Sequence, residues 1–512
     1  MLQKLLKKYH SLPKQLKASF WFLFCSVLQR GITTITTPIF TRLLTTAEYG
    51  NFNVFHSWLN ILTVFLTFNL YAGVYTQGLV KFDKDRPVFS SSLMGLTTVM
   101  SLVWLAVYLV ARDFWNGLFK LTTVQMLAMF VMIWSTAAFQ FWSAEQRVEY
   151  RYRRLVIITV IVSIVKPLVT ITFVLLSEDK VTARILGLAL VELIGYTGLY
   201  VVQMKRGRQF FSKRYWLYAL GFNLPLVPHY LSQMALNTAD RIMIREMVSP
   251  GAAGVYSLAY SISQIMLLFN TALSQTISPW MYQKIKTKRV QEIGPIMYLS
   301  LYVVAAANLL CILVAPEIVA VFAPKTYGEA IWVIPPVAMS VALIFSYDFF
   351  ARFEFYFEKT RFVMVASVIG AVLNLILNYI FIGVYGYYAA GYTTLFCYFV
   401  YIVCHYWNMS RICRKEFPGV KVYDLKRLVV FYAVFVGTGF ALMATYRLPV
   451  VRYAILAAAL VAMVVKRKYI MGKLQKVLKL RRQKAPSAVP AAEAETEAEA
   501  ELKADSDADL DG

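Results

Sequence analysis

The apolar positions of this chain gather into long runs, not into the one-sided stripe of a soluble helix or the alternation of a strand. Fourteen such runs, each about 18 residues or longer and so able to cross roughly 30 Å of hydrocarbon as a helix, succeed one another at 19–40, 52–74, 90–111, 124–141, 155–177, 184–203, 215–238, 252–279, 295–315, 331–351, 362–383, 388–409, 428–446 and 450–466. The pattern predicts an all-α polytopic membrane protein with about 14 transmembrane helices.

Polar residues that interrupt these runs are expensive in lipid and therefore informative. The first span carries Gln29 and Arg30 at its middle, and Arg30 shares a helical face with Ser26, Thr33, Thr37 and Thr41. The fifth span has a comparable stripe of Thr159, Ser163, Lys166 and Thr170. Glu192 and Asp348 are the carboxylates inside spans, and Asp240 stands at the edge of the seventh. That span also holds Pro225 and Pro228, which predict a bend or break, with His229, Gln233 and Asp240 on one face and Arg241 beside them.

A repeat is also visible. "GNFNVFHSWLNILTVFLT" from Gly50 lies on "GVYSLAYSISQIMLLFNT" from Gly254 with a shift of 204, matching Asn53 to Ser257, Ser57 to Ser261 and Asn60 to Gln264. The shared positions are largely polar and fall on one helical face, so they are expected to line an interior cavity. This divides the chain into a basic N-terminus (1–18), an N-lobe of helices 1–6 (19–203), a linker (204–214) and a C-lobe of helices 7–12 (215–409). A basic loop (410–427), two further helices (428–466), a basic amphipathic segment (467–484) and an acidic tail expected to be disordered (485–512) complete it.

Composition agrees with the pattern: 59% of the 512 residues are hydrophobic and only 16% charged. The 52 Lys and Arg residues, with those at span edges counted to the adjoining loop, divide 39 to one side of the membrane and 10 to the other, three being left over. By the positive-inside rule both termini are cytoplasmic, and the net charge of +24 reads as topology more than as nucleic-acid binding. Residues 1–17 precede the first span without a small-residue cleavage site, so that span is expected to stay as an anchor. Four of the five cysteines lie in spans and the fifth, Cys413, in a cytoplasmic loop, which argues against a disulfide framework.

At this point the residues resemble a family. "FTRLLTTAEYGNFNVFHSWLNILTVF" at 40–65, "NLYAGVYTQGLVKF" to residue 82 and "DRIMI" at 240–244 are similar to the polysaccharide transporters of the multidrug/oligosaccharidyl-lipid/polysaccharide exporter superfamily, and among them to Wzx-type flippases of O-antigen and capsule units. The likeness covers roughly residues 15–465. It implies a bacterial inner-membrane protein that moves a polyprenyl-diphosphate-linked oligosaccharide to the periplasmic leaflet by alternating access, with H⁺ or Na⁺ and other polysaccharide-assembly proteins as further partners. Arg30 and Lys166 are then candidates for binding the diphosphate, for which an Arg fork and a Lys point charge are suited. Asn53, Ser57, Asn60, Gln233, Ser257, Ser261 and Gln264 are candidate cavity residues, and His229, Asp240, Arg241 and Glu192 are candidates for ion coupling or gating. The competing reading of Arg30 is an ion pair with Glu192 or Asp240 that only fixes helix packing.

Two other functions have to be weighed. A multidrug or cation exporter of the same superfamily is expected to line its lobes with acids, whereas the mid-membrane charges here are largely cationic. A membrane enzyme of lipid-linked glycans, such as a polymerase or glycosyltransferase, needs an outer loop with catalytic groups, and the longest outer segment, near 316–330, holds two acids. No phosphate loop and no Cys/His set with metal-ligand spacing is present, so neither ATP hydrolysis nor a metal or other cofactor is expected.

Overall fold

The computed structural model describes residues 14–465 together with positions 467 and 472. The rest of the basic segment 467–484, the acidic tail and most of the basic N-terminus lie outside the described residues. Among the described residues the chain is helical, and the fold is that of a polytopic membrane protein.

The helices are α1 (Lys14–Leu43), α2 (Thr46–Thr67), α3 (Val74–Lys81), α4 (Arg86–Val110), α5 (Arg112–Phe119), α6 (Thr123–Val148), α7 (Tyr152–Leu175), α8 (Lys180–Gly207) and α9 (Lys213–Asn223). They continue with α10 (Val227–Met247), α11 (Pro250–Lys286), α12 (Ile293–Leu313), α13 (Ala315–Phe322), α14 (Ile334–Tyr356), α15 (Thr360–Tyr385), α16 (Tyr388–Glu416), α17 (Leu425–Ala444) and α18 (Pro449–Val465). Each expected span falls on a helix, and the seventh falls on two. There α9 and α10 are separated by a 3₁₀ turn at Leu224–Leu226, where Pro225 and Pro228 remove backbone donors.

Nine helices among the described residues are long and apolar enough to cross a membrane by composition alone. The polar helices α1, α2, α10 and α16 do not meet that measure. Three of these four, α1, α2 and α10, line the cavity described below. Helix starts are locally encoded. Thr45 and Glu48 form a reciprocal capping box on α2, and Thr122 with Gln125 forms another on α6. Ser249 caps α11, whose first residue is Pro250.

Packing repeats between the halves. In the N-lobe α1 lies on α7, α6 on α8 and α7 on α8; in the C-lobe α10 lies on α15, α14 on α16 and α15 on α16. The lobes meet where α2 packs on α10 and α11. Gly50 and Gly254 face each other there at a distance no side chain would permit, since a Cβ on Gly50 would stand 1.9 Å from the Pro250 carbonyl oxygen. Close backbone approach at small residues is how helices associate in lipid, where there is no hydrophobic drive between them.

The same end of the bundle is sealed by further bonds between lobes. Thr41 donates to Phe322 O at 2.6 Å, Arg42 to Val321 O at 2.9 Å and Arg245 to Lys120 O at 3.1 Å, while Lys120 pairs with Glu246. Sequence reading treats 316–330 as an outer loop. In the structure it folds into α13 and a 3₁₀ segment, Lys325–Trp332, that reaches across to α1 and α2.

Candidate functional site: a cationic cavity between the lobes

Below the seal a cavity of about 940 Å³ lies between the lobes. Its walls come from α1, α2, α6, α7 and α8 on one side and α10 and α11 on the other, with Phe322 at the sealed end. Among the cavity residues of α1, Gln29 and Arg30 are exposed and Thr37 and Phe40, nearer the seal, are buried. Hydroxyls of Thr33, Thr34 and Thr37 on this helix donate to carbonyls one turn back, which lets a polar stripe persist within the membrane.

Among the described residues four cations and one carboxylate line the cavity: Arg30, Lys166, Arg184, Arg241 and Glu192. Lys166 and Glu192 are joined at 2.6 Å, and Thr136 donates to the other carboxylate oxygen at 3.0 Å. Glu192 is therefore the partner of Lys166 and not of Arg30. No ion pair engages the Arg30 guanidinium among the described residues.

Arg184 was not singled out by the sequence. Its guanidinium lies 3.9 Å from the Phe40 ring centre and 3.6 Å from that of Phe52, with Nε and Nη1 buried and without hydrogen-bond partners. Arg241 sits 4.3 Å over Tyr260 and its Nε is likewise unpartnered. A desolvated cation–π contact supplies about 2 kcal/mol, against roughly 2.5–3.5 kcal/mol or more for a cation within the membrane. One ring does not cover that cost for Arg241, and the two rings around Arg184 offset it without meeting the buried Nε and Nη1 donors, which an anion in the cavity would satisfy.

The other candidates divide. Asn53, Asn60, Ser261 and Gln264 line the cavity. Ser57 and Ser257 are fully buried away from it, because α2 is packed against both lobes and turns the face with Asn53, His56, Asn60 and Thr63 to the open space. Gln233 is drawn outward, donating to Ser367 at 3.1 Å. Asp240 is fully buried behind its neighbour Arg241 and accepts from the Tyr256 hydroxyl. His229 lies against Tyr230 with Nδ1 buried and unpartnered, some way along α10 from Asp240. Gln233 and Asp240 thus point into the C-lobe, and none of the three lines the cavity. Besides Arg184, the lining includes His56, Thr136, Gln140, Asn237 and Tyr260. A signal for Arg184 was present, since Arg184, Leu188 and Glu192 repeat at four-residue spacing on one helical face.

The profile of the polysaccharide biosynthesis protein family matches residues 15–285, more than half of the chain and every cavity-lining residue except Phe322. The chain belongs to this family. Two relatives from Haemophilus influenzae are a Lsg locus putative protein 1, 23% identical over 203 residues (38% of this chain and 51% of that protein), and an uncharacterized membrane protein, 24% identical over 204 residues (38% and 50%). The match thus spans about half the length of these curated relatives.

Among solved structures, this member of the polysaccharide biosynthesis family is similar to the lipid II flippase MurJ in an inward closed conformation, with a TM-score of 0.61 at 12% identity over 87% of this chain and 100% of that one. It is also similar to an inward-facing multidrug resistance MATE family transporter, with a TM-score of 0.54 at 12% identity over 76% and 96%. At that identity the likeness establishes the fold, which is that of MurJ- and MATE-type transporters.

Proposed function

We propose that this protein is a flippase that carries a polyprenyl-diphosphate-linked oligosaccharide, an O-antigen or capsule repeat unit, from the cytoplasmic to the periplasmic leaflet of a bacterial inner membrane. The observation that carries this reading is the cavity's charge: Arg30, Arg184 and Arg241 have no carboxylate partner among the described residues, and the lone carboxylate is already engaged by Lys166. A diphosphate linker is a dianion whose oxygens accept the paired donors of a guanidinium. Threonine, asparagine and glutamine on the same walls hydrate the sugar while the lipid tail stays in the bilayer. A cationic drug would meet three unneutralised guanidinium groups, which argues against a multidrug exporter.

The excess of Lys and Arg on one side gives the orientation of this reading, with both termini cytoplasmic. The seal at Gly50, Gly254 and Lys120–Glu246 then faces the periplasm, and the cavity is presented to the cytoplasm, where the cargo is loaded. Alternating access requires that seal to open while the lobes close beneath the cargo. Transport is ion-coupled in this account, and His229, Asp240, Arg241 and Glu192 are the groups through which H⁺ or Na⁺ acts. Deletion of the gene tests the function: the lipid-linked intermediate should accumulate in the cytoplasmic leaflet, and unchanged intermediate levels with normal surface polysaccharide would refute it.

A further inference from the structure

Two glutamates are buried at the end of the bundle opposite the seal, one in each lobe, near the C-termini of corresponding helices. Glu145 on α6 is 1% exposed and Glu354 on α14 is fully buried. Each is met by the last helix of its lobe. In the N-lobe Arg206 of α8 approaches Glu145 at 3.1 Å and Gln203 donates to it at 2.9 Å. In the C-lobe His405 of α16, itself 1% exposed, brings Nδ1 to 2.7 Å from Glu354, and Asn408 donates to the other oxygen at 2.9 Å.

The lobes thus solve one problem with different chemistry. A guanidinium is always charged and neutralises Glu145 at any pH, whereas an imidazole titrates near neutrality. Little else is available to compensate Glu354. On α14, Arg352 is committed to Asp348, and Glu358, in the turn after the helix, is exposed. On α15, Phe362 stands edge-on to the His405 ring, while Arg361 is exposed, as is Lys359 just before the helix. From α16 the Cys404 thiol is the titratable neighbour of Glu354. Tyr347 and Tyr401 flank the imidazole at 5.4 and 5.8 Å, Tyr423 and Tyr432 are phenols on the α17 side, and Lys284 of α11 is paired with Glu292 at 2.5 Å.

We propose that Glu354 and His405 form a proton-binding site in the C-lobe, occupied when the imidazole is doubly protonated and the pair is neutral. Loss of that proton leaves one buried negative charge with hydrogen-bond donors but no cation, and draws water in between α14 and α16. The effect is transmitted to the cavity wall. The Lys359 amide closes the turn into α15 by donating to Glu354 O at 2.8 Å, Tyr401 donates to Ser367 O on α15 at 3.1 Å, and Ser367 Oγ accepts from Gln233 of α10. This site does not depend on the identity of the cargo.

The test is hydrogen–deuterium exchange on the full-length protein in lipid nanodiscs, corrected for intrinsic exchange, from about pH 5 to 8.5. In the wild type, exchange across residues 352–370 should be slowest at the acid end and rise several-fold through a one-proton transition. His405→Arg, which copies the N-lobe arrangement, and Glu354→Gln should abolish that pH dependence, and Glu145→Gln in the N-lobe should retain it. A flat wild-type profile, or a His405→Arg profile that still shows the transition, would overturn the proposal. If Glu354→Gln does not fold, His405→Arg decides alone.

Discussion

Gly50 and Gly254, which occupy matching places in the two halves of the sequence, meet backbone to backbone at the sealed end of the cavity. A Cβ on Gly254 would come within 2.0 Å of the Thr46 carbonyl oxygen, and the Gly254 amide nitrogen would lie 2.8 Å from a Cβ on Gly50. The contact is therefore made of two helix backbones and has no side chain that could give way.

The first expected outcome follows from that contact. Gly50→Ala should cost about 1–3 kcal/mol in the sealed state, the usual range for overpacking, and should move the population toward an open seal. Thiol labelling of Thr46→Cys in a cysteine-free background should then be faster in Gly50→Ala than in the parent. Equal rates would show that the crossing is not what holds the seal.

A second concerns Lys166 and Glu192. Removing one partner of a buried ion pair leaves the other charge uncompensated and typically costs about 3–5 kcal/mol, while replacing both with apolar groups is often neutral. Lys166→Met or Glu192→Leu should each lower the thermal unfolding midpoint in detergent, and the double variant should recover most of the loss. Independent, additive losses would mean that the pair is not coupled.

Orientation is checked by labelling from either side. Cysteine placed at Gln209 in the linker should react only with reagents that reach the cytoplasm, and cysteine at the exposed Asp113 of α5 only with periplasmic ones. The reverse pattern would invert the seal and the cavity.

The order of the long helices was legible in the sequence because length and apolarity decide spanning before any tertiary contact forms, whereas the short helices α3, α5 and α13 carry no such signal. The break in helix 7 was legible too, through Pro225 and Pro228. Arg30 and Lys166 stood out as cations interrupting α1 and α7, and in the structure both line the cavity together with Thr33 and Ser163 of the same stripes. Partners were another matter. Glu192 could have met Arg30 or Lys166 equally well on paper, and only the packing of α7 on α8 brings Lys166 to it. Ser57 and Ser257 carry the same polar signal as Asn53 and Ser261, yet they are buried, because a helical wheel does not say which side of α2 or α11 the opposite lobe will cover. Arg184 went unnoticed because it stands at a span edge, where a cation ordinarily meets headgroups, whereas here α1 and α2 fold over it with Phe40 and Phe52.

Asp240 offers a fourth outcome. Tyr256 and the surrounding C-lobe enclose it, and an Asn of the same shape can still accept that hydroxyl. Asp240→Asn should fold and reach the membrane normally, while flux in reconstituted vesicles loses its dependence on pH or Na⁺. An unchanged ion dependence would place coupling elsewhere.

The most direct measurement is the rate at which proteoliposomes carrying single variants transfer a polyprenyl-diphosphate-linked oligosaccharide between leaflets, normalised to protein inserted. If the unpaired guanidinium groups receive the diphosphate, Arg30→Ala and Arg184→Gln should each lower the rate about tenfold or more, the equivalent of roughly 1.4 kcal/mol in the barrier. Arg30→Lys should fall in between, because a point charge replaces only part of a fork. Wild-type rates in both Arg30→Ala and Arg184→Gln would contradict the account.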